Sequence, residues 1–119
     1  MEKNSQLKPR TKQLGLRTIR LVESLPKTVT AQAISRQLVR SALSVGANYR
    51  AACRARSRAD FVSKMGIVEE EADETLYWLE MLVEAGLIRD NLLAPLMKEA
   101  KEITAMVVAS IKTARIRAR

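Results

Sequence analysis

Residues 31–56 read AQAISRQLVRSALSVGANYRAACRAR, and this stretch decides the fold. Apolar residues recur in it at the three- and four-residue spacing of a helix that buries one face. The residues that gather on the buried side are Ile34, Leu38, Ala42, Val45, Tyr49 and Ala52. We therefore predict a helix from about Ala31 to Arg56, with Thr28 or Thr30 as its N-cap.

Three further helices are predicted around this segment. The first runs from about Thr11 to Leu25, because the following proline disfavours helix in the residue before it. The third starts at the capping-box spacing of residues 57–60, SRAD, and reaches about Ala85, where Gly86 fits a left-handed C-cap. The fourth begins at Asp90 or Asn91 and runs to about Ala114, with Pro95 close to its start, where a proline costs least.

The linkers between these helices are short, so sequential helices should lie antiparallel. The sequence of 119 residues suits one domain. We predict an all-α, up-down antiparallel four-helix bundle over residues 11–119, preceded by a flexible basic tail at residues 1–10.

Composition excludes several classes of function. Histidine is absent, which removes the commonest general base and the His-containing metal sites. The acidic cluster at residues 69–74 falls on the outer side of its helix, so no metal or other cofactor is expected. No apolar run approaches a membrane span, the N-terminus does not resemble a signal peptide, and Cys53 is the only cysteine. We expect a cytoplasmic protein that is not an enzyme and does not bind membranes.

The net charge of +8 is distributed in blocks along the chain. Residues 1–58 carry 13 basic and 2 acidic groups, residues 59–88 carry 1 and 8, and residues 89–119 carry 7 and 3. Such blocks can serve nucleic-acid binding, assembly or both. The candidates for nucleic-acid contact are Arg10, Lys12, Arg17, Arg20, Arg50, Arg54, Arg56 and Arg58.

Two helix faces opposite the predicted core are complementary in charge. The second helix carries an arginine ridge flanked by apolar residues, and the third carries glutamates beside large apolar side chains. We predict a heterologous contact between subunits, which closes into a ring if the rotation allows. The residues of this predicted interface are Arg36, Val39, Arg40, Leu43, Ile67, Glu70, Glu71, Glu74, Trp78 and Met81. An antiparallel hairpin also brings Arg40 level with Glu74 within one subunit, and the sequence leaves both arrangements open.

Residues 41–49, SALSVGANY, resemble the S-x-x-S-V-x-A-N motif of a bacterial four-helix-bundle family. That family includes proteins encoded by intervening sequences in large-subunit ribosomal RNA genes and the accessory proteins of diversity-generating retroelements. Residues 56–61, RSRADF, resemble its R-x-S-x-x-E-F segment, and the similarity extends over roughly residues 14–110. The resemblance implies a four-helix bundle and a homopentameric ring. In the retroelement branch it implies a basic ring that binds nucleic acid and a reverse transcriptase.

Two functions from different classes follow. The first is an oligomeric scaffold or adaptor whose basic surface binds RNA or DNA without sequence specificity. The alternative is a structural module that binds another protein and uses its charge only for subunit assembly.

Overall fold

The computed structural model describes the backbone of residues 2–117 and the side chains of residues 6–117. The chain forms four helices there: α1 (Glu2–Glu23), α2 (Val29–Ala52), α3 (Arg58–Glu84) and α4 (Asp90–Arg117). The described part of the chain contains no strand, so the predicted all-α class with four helices is confirmed.

The helices form a bundle with α1 packed between α2 and α4 on one side and α3 packed between the same two helices on the other. Helices α1 and α3 lie on one diagonal, and α2 and α4 on the other. The bundle is 50 Å long and 22 by 20 Å across. Consecutive helices run antiparallel, as the short linkers at residues 24–28, 53–57 and 85–89 predict.

Local hydrogen bonds fix where α2 and α3 begin and where α3 ends. The Thr28 side chain accepts from the Ala31 N–H at 3.2 Å, and the Ser57 side chain accepts from the Asp60 N–H at 3.0 Å. Gly86 has φ +74°, and the Leu87 N–H donates to the Leu82 carbonyl at 3.0 Å in a Schellman motif. All three caps were predicted from the sequence.

The predicted start of the first helix at Thr11 is wrong. Helix α1 begins at Glu2 and contains Pro9, so residues 6–10 are not the loose tail that was expected. Leu7 lies on the same face as Thr11, Leu14 and Thr18, all buried, and this apolar stripe carries the helix through the proline. The Pro9 ring itself is exposed.

Three other helix ends differ from the predicted ones. Helix α1 stops at Glu23 rather than Leu25, and α2 ends at Ala52 rather than Arg56. After Ala52 the N–H groups of residues 54 and 55 donate to carbonyls three residues back, which tightens the chain into a turn. Helix α4 extends to Arg117, beyond the predicted Ala114, and the carbonyl of Arg117 accepts a hydrogen bond from the Arg58 guanidinium.

The core is one apolar cluster to which all four helices contribute side chains. The predicted core residues of α2 are all buried, and so are Met65, Val68, Ala72 and Leu79 of α3. Among the residues whose side chains are described, four buried ones are polar, and each hydroxyl donates to a carbonyl of its own helix. These residues are Thr11, Thr18, Ser41 and Thr75.

Helices α1 and α2 approach each other closely at two glycines. A Cβ on Gly46 would lie 3.3 Å from the carbonyl oxygen of Thr11, and a Cβ on Gly15 would lie 3.1 Å from Cδ2 of Leu43. The neighbour of Gly46 is backbone, which cannot rotate away. A side chain at position 46 would therefore push the two helices apart.

Arg10 holds α1 against α4. Its Nε donates to Oε2 of Glu99 at 2.8 Å, and its Nη2 lies 2.5 Å from Oε1 of Glu99 and 2.8 Å from Oε1 of Glu102. The hydrogen bond from Arg10 holds the pKa of Glu99 below its ordinary value, although burial of the carboxylate opposes that shift. This bidentate pair links two helices that otherwise share the smallest contact among neighbouring helices.

A pair of glycine substitutions tests the close approach of α1 and α2. We expect Gly66→Ala to raise the free energy of unfolding by about 0.5–1 kcal/mol, because a Cβ there has open space and alanine favours helix. The same change at Gly46 should give no gain or a loss, because its Cβ meets the α1 backbone. Urea denaturation of both variants measures the difference, and an equal gain at Gly46 and Gly66 would contradict the packing.

An acid titration tests the Arg10–Glu99 pair. Because the folded-state pKa of Glu99 is lowered, the pair stabilises the fold above the unfolded value of about 4.3 and loses this effect as pH falls through the folded pKa. We expect Arg10→Gln to lower stability by about 1 kcal/mol near neutral pH and by less near pH 3. The matched control is Arg20→Gln on the exposed side of α1. A loss that is equal at both pH values would show that the ion pair does not cause it.

Candidate functional site

Several stretches of the chain contain no acidic residue, and four of them reach the same end of the bundle. Residues 3–22, 24–59, 61–68 and 103–119 lack Asp and Glu altogether. In the antiparallel bundle these stretches include the start of α1, the end of α2, the start of α3 and the end of α4. All four of those helix ends lie at the same end of the molecule, so the blocks of charge in the sequence become one basic pole.

We call this pole the basic end. Its members come from the α2–α3 linker, the first turn of α3 and the last turns of α4, and all are exposed. They are Arg54, Arg56, Arg58, Lys112, Arg115 and Arg117. The Arg58 guanidinium donates to the Arg117 carbonyl, which joins the α3 and α4 parts of the basic end. The cations also suit the negative ends of the α2 and α4 helix dipoles.

Asp60 is the only acidic side chain described near the basic end, and it is already engaged. Its Oδ2 accepts from Lys64 Nζ at 2.7 Å and from the Arg56 N–H at 3.2 Å. These two contacts, the Lys64 ammonium first, lower the pKa of Asp60 and keep it ionised. The side chains of Arg54, Arg56, Lys112 and Arg115 form no salt bridge with any described residue.

A groove between α1 and α2 opens beside the basic end. Its volume is about 500 Å³. Lys8, Lys12 and Arg50 stand along it, and Leu16 and Leu43 lie at the part farther from the basic end. The two leucines are 37% and 44% exposed. The close packing at Gly15 and Gly46 forms the floor of the groove.

The structure distributes the predicted nucleic-acid candidates over three places. Arg54, Arg56 and Arg58 belong to the basic end, and Lys12 and Arg50 belong to the α1–α2 groove. Arg10 forms salt bridges with Glu99 and Glu102 of α4, so its guanidinium already has partners within the chain.

Arg17 and Arg20 lie farther along α1. Arg17 is half-buried on the side that faces Glu99, while Arg20 is exposed. The eight candidates therefore do not form one site.

Three of the five charged residues of the predicted subunit interface pair within the chain. Arg40 of α2 makes hydrogen-bonded salt bridges with Glu71, at 3.3 Å, and with Glu74 of α3. This is the arrangement within one subunit that the sequence left open beside the intersubunit one. The indole N–H of Trp78 donates to Glu74 Oε2 at 3.1 Å. The hydrogen bond from Trp78 first, and that from Arg40 second, hold the pKa of Glu74 below its ordinary value.

The prediction that Trp78 and Met81 point outward is wrong. Both are half-buried and pack against the apolar core, because they lie toward the seam between α2 and α3. Val39 is also half-buried. The predicted interface residues that remain well exposed on the surface are Arg36, Arg40, Leu43, Ile67 and Glu70.

The outer surface of α3 carries an aromatic residue that the sequence analysis did not select. Tyr77 is 51% exposed and packs edge to face on Trp78 with ring centroids 4.9 Å apart. Ile67, one of the predicted interface residues, is 41% exposed on the same helix.

Basic residues at the chain's helix ends were also missed. Lys8 lines the groove, and Lys112, Arg115 and Arg117 complete the basic end, yet none was selected as a binding candidate. The signal was present, because short linkers imply antiparallel helices and therefore place the start of α1 and the end of α4 together.

Among the described residues, no group of three or more Cys, Asp or Glu side chains is placed to hold a metal ion. The helices of residues 2–117 also include none with the length and apolar character needed to cross a membrane.

Comparison with known proteins identifies relatives of the whole bundle. The family model described as 23S rRNA-intervening sequence protein matches residues 3–109. A crystal structure of a protein of unknown function from Bacteroides thetaiotaomicron, of the S23 ribosomal protein family, superposes with a TM-score of 0.87 at 34% identity. The similarity covers 92% of this chain and 98% of that one. No functionally curated protein matches.

The family match extends from the first residues of α1 well into α4, and the solved relative shares the same fold over nearly its full length. The chain therefore belongs to the family of 23S rRNA-intervening sequence proteins.

Proposed function

We propose that this protein is a non-catalytic, homo-oligomeric adaptor that binds RNA or DNA through its basic end without reading sequence. The observation that carries the proposal is the basic end itself, where five exposed arginines and Lys112 from the α2–α3 linker, α3 and α4 lie near a single described carboxylate that is already paired. Surface cations that have no carboxylate partner are available to phosphate.

Most of the acidic residues of the chain lie elsewhere. They concentrate between residues 69 and 102, in the second half of α3 and the first half of α4, and several pair with Arg10 or Arg40. The positions of the charges are therefore more informative than the net charge. The salt bridges of Arg10 and Arg40 neutralise these two arginines of α1 and α2, which lie away from the basic end.

The basic end supports phosphate contact better than sequence reading. It consists of helix ends and a linker, and no recognised groove-reading module occurs in the sequence. Binding through lysine and arginine to phosphate releases counterions and falls steeply with salt.

The core supports a non-catalytic role. Each fully buried polar residue described is a hydroxyl that donates to its own helix. Among the described side chains, the one buried carboxylate oxygen that lacks a hydrogen bond, Oε1 of Glu71, belongs to a side chain that already pairs with Arg40. The proposed setting is the cytoplasm, where a single exposed Cys53 stays reduced.

The exposed apolar residues of α3 support self-association. Ile67 and Tyr77 lie on the outer surface with the exposed carboxylate of Glu70 on the same helix, and Arg36 is exposed on the outer side of α2. We propose that these outer surfaces meet between subunits in a closed ring, for which a pentamer is the arrangement expected from the family resemblance. If the charge served assembly alone, the protein would be a protein-binding module with no affinity for nucleic acid.

A matched pair of charge reversals tests the nucleic-acid function. We expect Arg54→Glu with Arg56→Glu to weaken binding to a labelled single-stranded RNA at least tenfold and to reduce the salt slope by about 2, because two phosphate contacts are lost. Fluorescence anisotropy over a salt series measures both quantities.

The control is Lys27→Glu with Arg89→Glu, which changes the net charge equally in the linkers at the opposite end. It should leave the salt slope unchanged. Equal weakening by the two pairs would assign binding to overall charge, and absence of binding by the unmodified protein at low salt would reject the function.

A second pair of variants tests assembly by light scattering. We expect the unmodified protein to have the mass of a pentamer and Ile67→Arg to shift it to smaller species, since a buried unpaired charge is costly at an interface. Leu92→Arg, at a leucine 63% exposed on α4, is the matched control and should keep the original mass. A monomeric unmodified protein, or an unchanged Ile67→Arg mass, would contradict the proposed interface.

A further inference from the structure

The two ends of the α1–α2 groove differ in character, because one is cationic and the other is apolar. Lys8 and Arg50 stand at its part nearest the basic end, Lys12 lies next, and Leu16 and Leu43 form the opposite part. The pairing of Gly46 with Thr11 and of Gly15 with Leu43 fixes this order, because residues rise along α1 as they fall along α2. A ligand that fits must therefore have an anionic part and an apolar part, with the anionic part toward the basic end.

The groove has the size of a small-molecule site. Its volume of about 500 Å³ lies within the range of about 300–1,000 Å³ found for ligand pockets. A mononucleotide unit has the required character, because its phosphate is anionic and its base is flat and largely apolar on both faces. A duplex hides its bases inside the stack and cannot offer one to a groove between two helices.

The hydroxyl groups beside the groove are already engaged. Thr11 Oγ1 donates to the Leu7 carbonyl at 2.7 Å, and the Tyr49 phenol contacts the Cys53 thiol. Burial first, and then this contact, raise the pKa of Tyr49, so the phenol stays neutral. The floor of leucine, alanine and glycine has no polar side-chain atom with which to read the hydrogen-bonding edge of a base, so it accepts any base.

From these observations we propose that the α1–α2 groove binds one unpaired nucleotide of a single strand, with its phosphate on Lys8, Lys12 and Arg50 and its base against Leu16 and Leu43. The adjoining phosphates continue onto the basic end. The site deepens the proposed function and rests on it, since it makes the protein selective for single-stranded over double-stranded nucleic acid.

The test variant places a larger apolar side chain in the groove and leaves the charged residues of the groove unchanged. Ala47 is exposed and lines the groove, so Ala47→Leu occupies the space where the base would lie. Ala33→Leu makes the same change at an exposed position of α2 outside the groove and is the matched control. Circular dichroism and thermal unfolding of both variants check that the bundle is intact.

Affinity is measured for a single-stranded RNA and for a duplex of the same length. We expect the unmodified protein to prefer the single strand, Ala47→Leu to lose roughly tenfold in single-strand affinity with duplex affinity unchanged, and Ala33→Leu to change neither. Equal loss for single strand and duplex, or no loss in Ala47→Leu, would overturn the groove assignment while leaving the basic end in place. Failure of the unmodified protein to bind either probe would instead reject the proposed function as a whole.

A glutamate-rich amphipathic peptide serves as the competing ligand. It carries the same combination of negative charge and apolar surface, and it should bind the groove weakly compared with the single strand. Binding of the peptide that Ala47→Leu abolishes, together with RNA binding that Ala47→Leu leaves unchanged, would assign the groove to a protein partner and overturn the inference.

Discussion

The length of the three linkers constrains everything else in this structure. A linker of the size of residues 24–28 can span at most about 18 Å when fully extended, whereas the bundle is 50 Å long. No linker can return the chain to the opposite end, so each helix must run against the one before it. The beginnings of α1 and α3 and the ends of α2 and α4 consequently share one end of the molecule.

That topology determines where the charged residues lie on the surface of the folded protein. Along the sequence the basic residues are spread over both termini and the middle, and the acidic residues occupy one internal block. Folding collects six exposed cations at the basic end and places most of the acidic residues along α3 and α4, where Arg10 and Arg40 neutralise part of them. The same topology sets α1 beside α2 closely enough, at Gly46, to leave a groove with cations at one part and leucines at the other.

The sequence predicted those features that depend on local patterns. Periodicity identified four helices and the α2 core, and the caps at Thr28, Ser57 and Gly86 follow from short-range chemistry. It failed at Pro9, because burial of Leu7 outweighs the cost of the proline and only packing shows that. It also failed at Trp78 and Met81, since a helical wheel cannot tell a solvent-facing position from one beside the seam with α2. The basic end was incompletely predicted because its members are adjacent only across helices.

Photo-crosslinking of the purified protein to a single-stranded RNA, followed by peptide mapping, tests the central claim most directly. The account predicts crosslinks in residues 50–58 and 112–117, which hold the basic end, and none in the linkers at residues 24–28 and 85–89. Crosslinks concentrated at those distant linkers, or spread evenly over the surface, would contradict the claim that folding assembles one nucleic-acid-binding end.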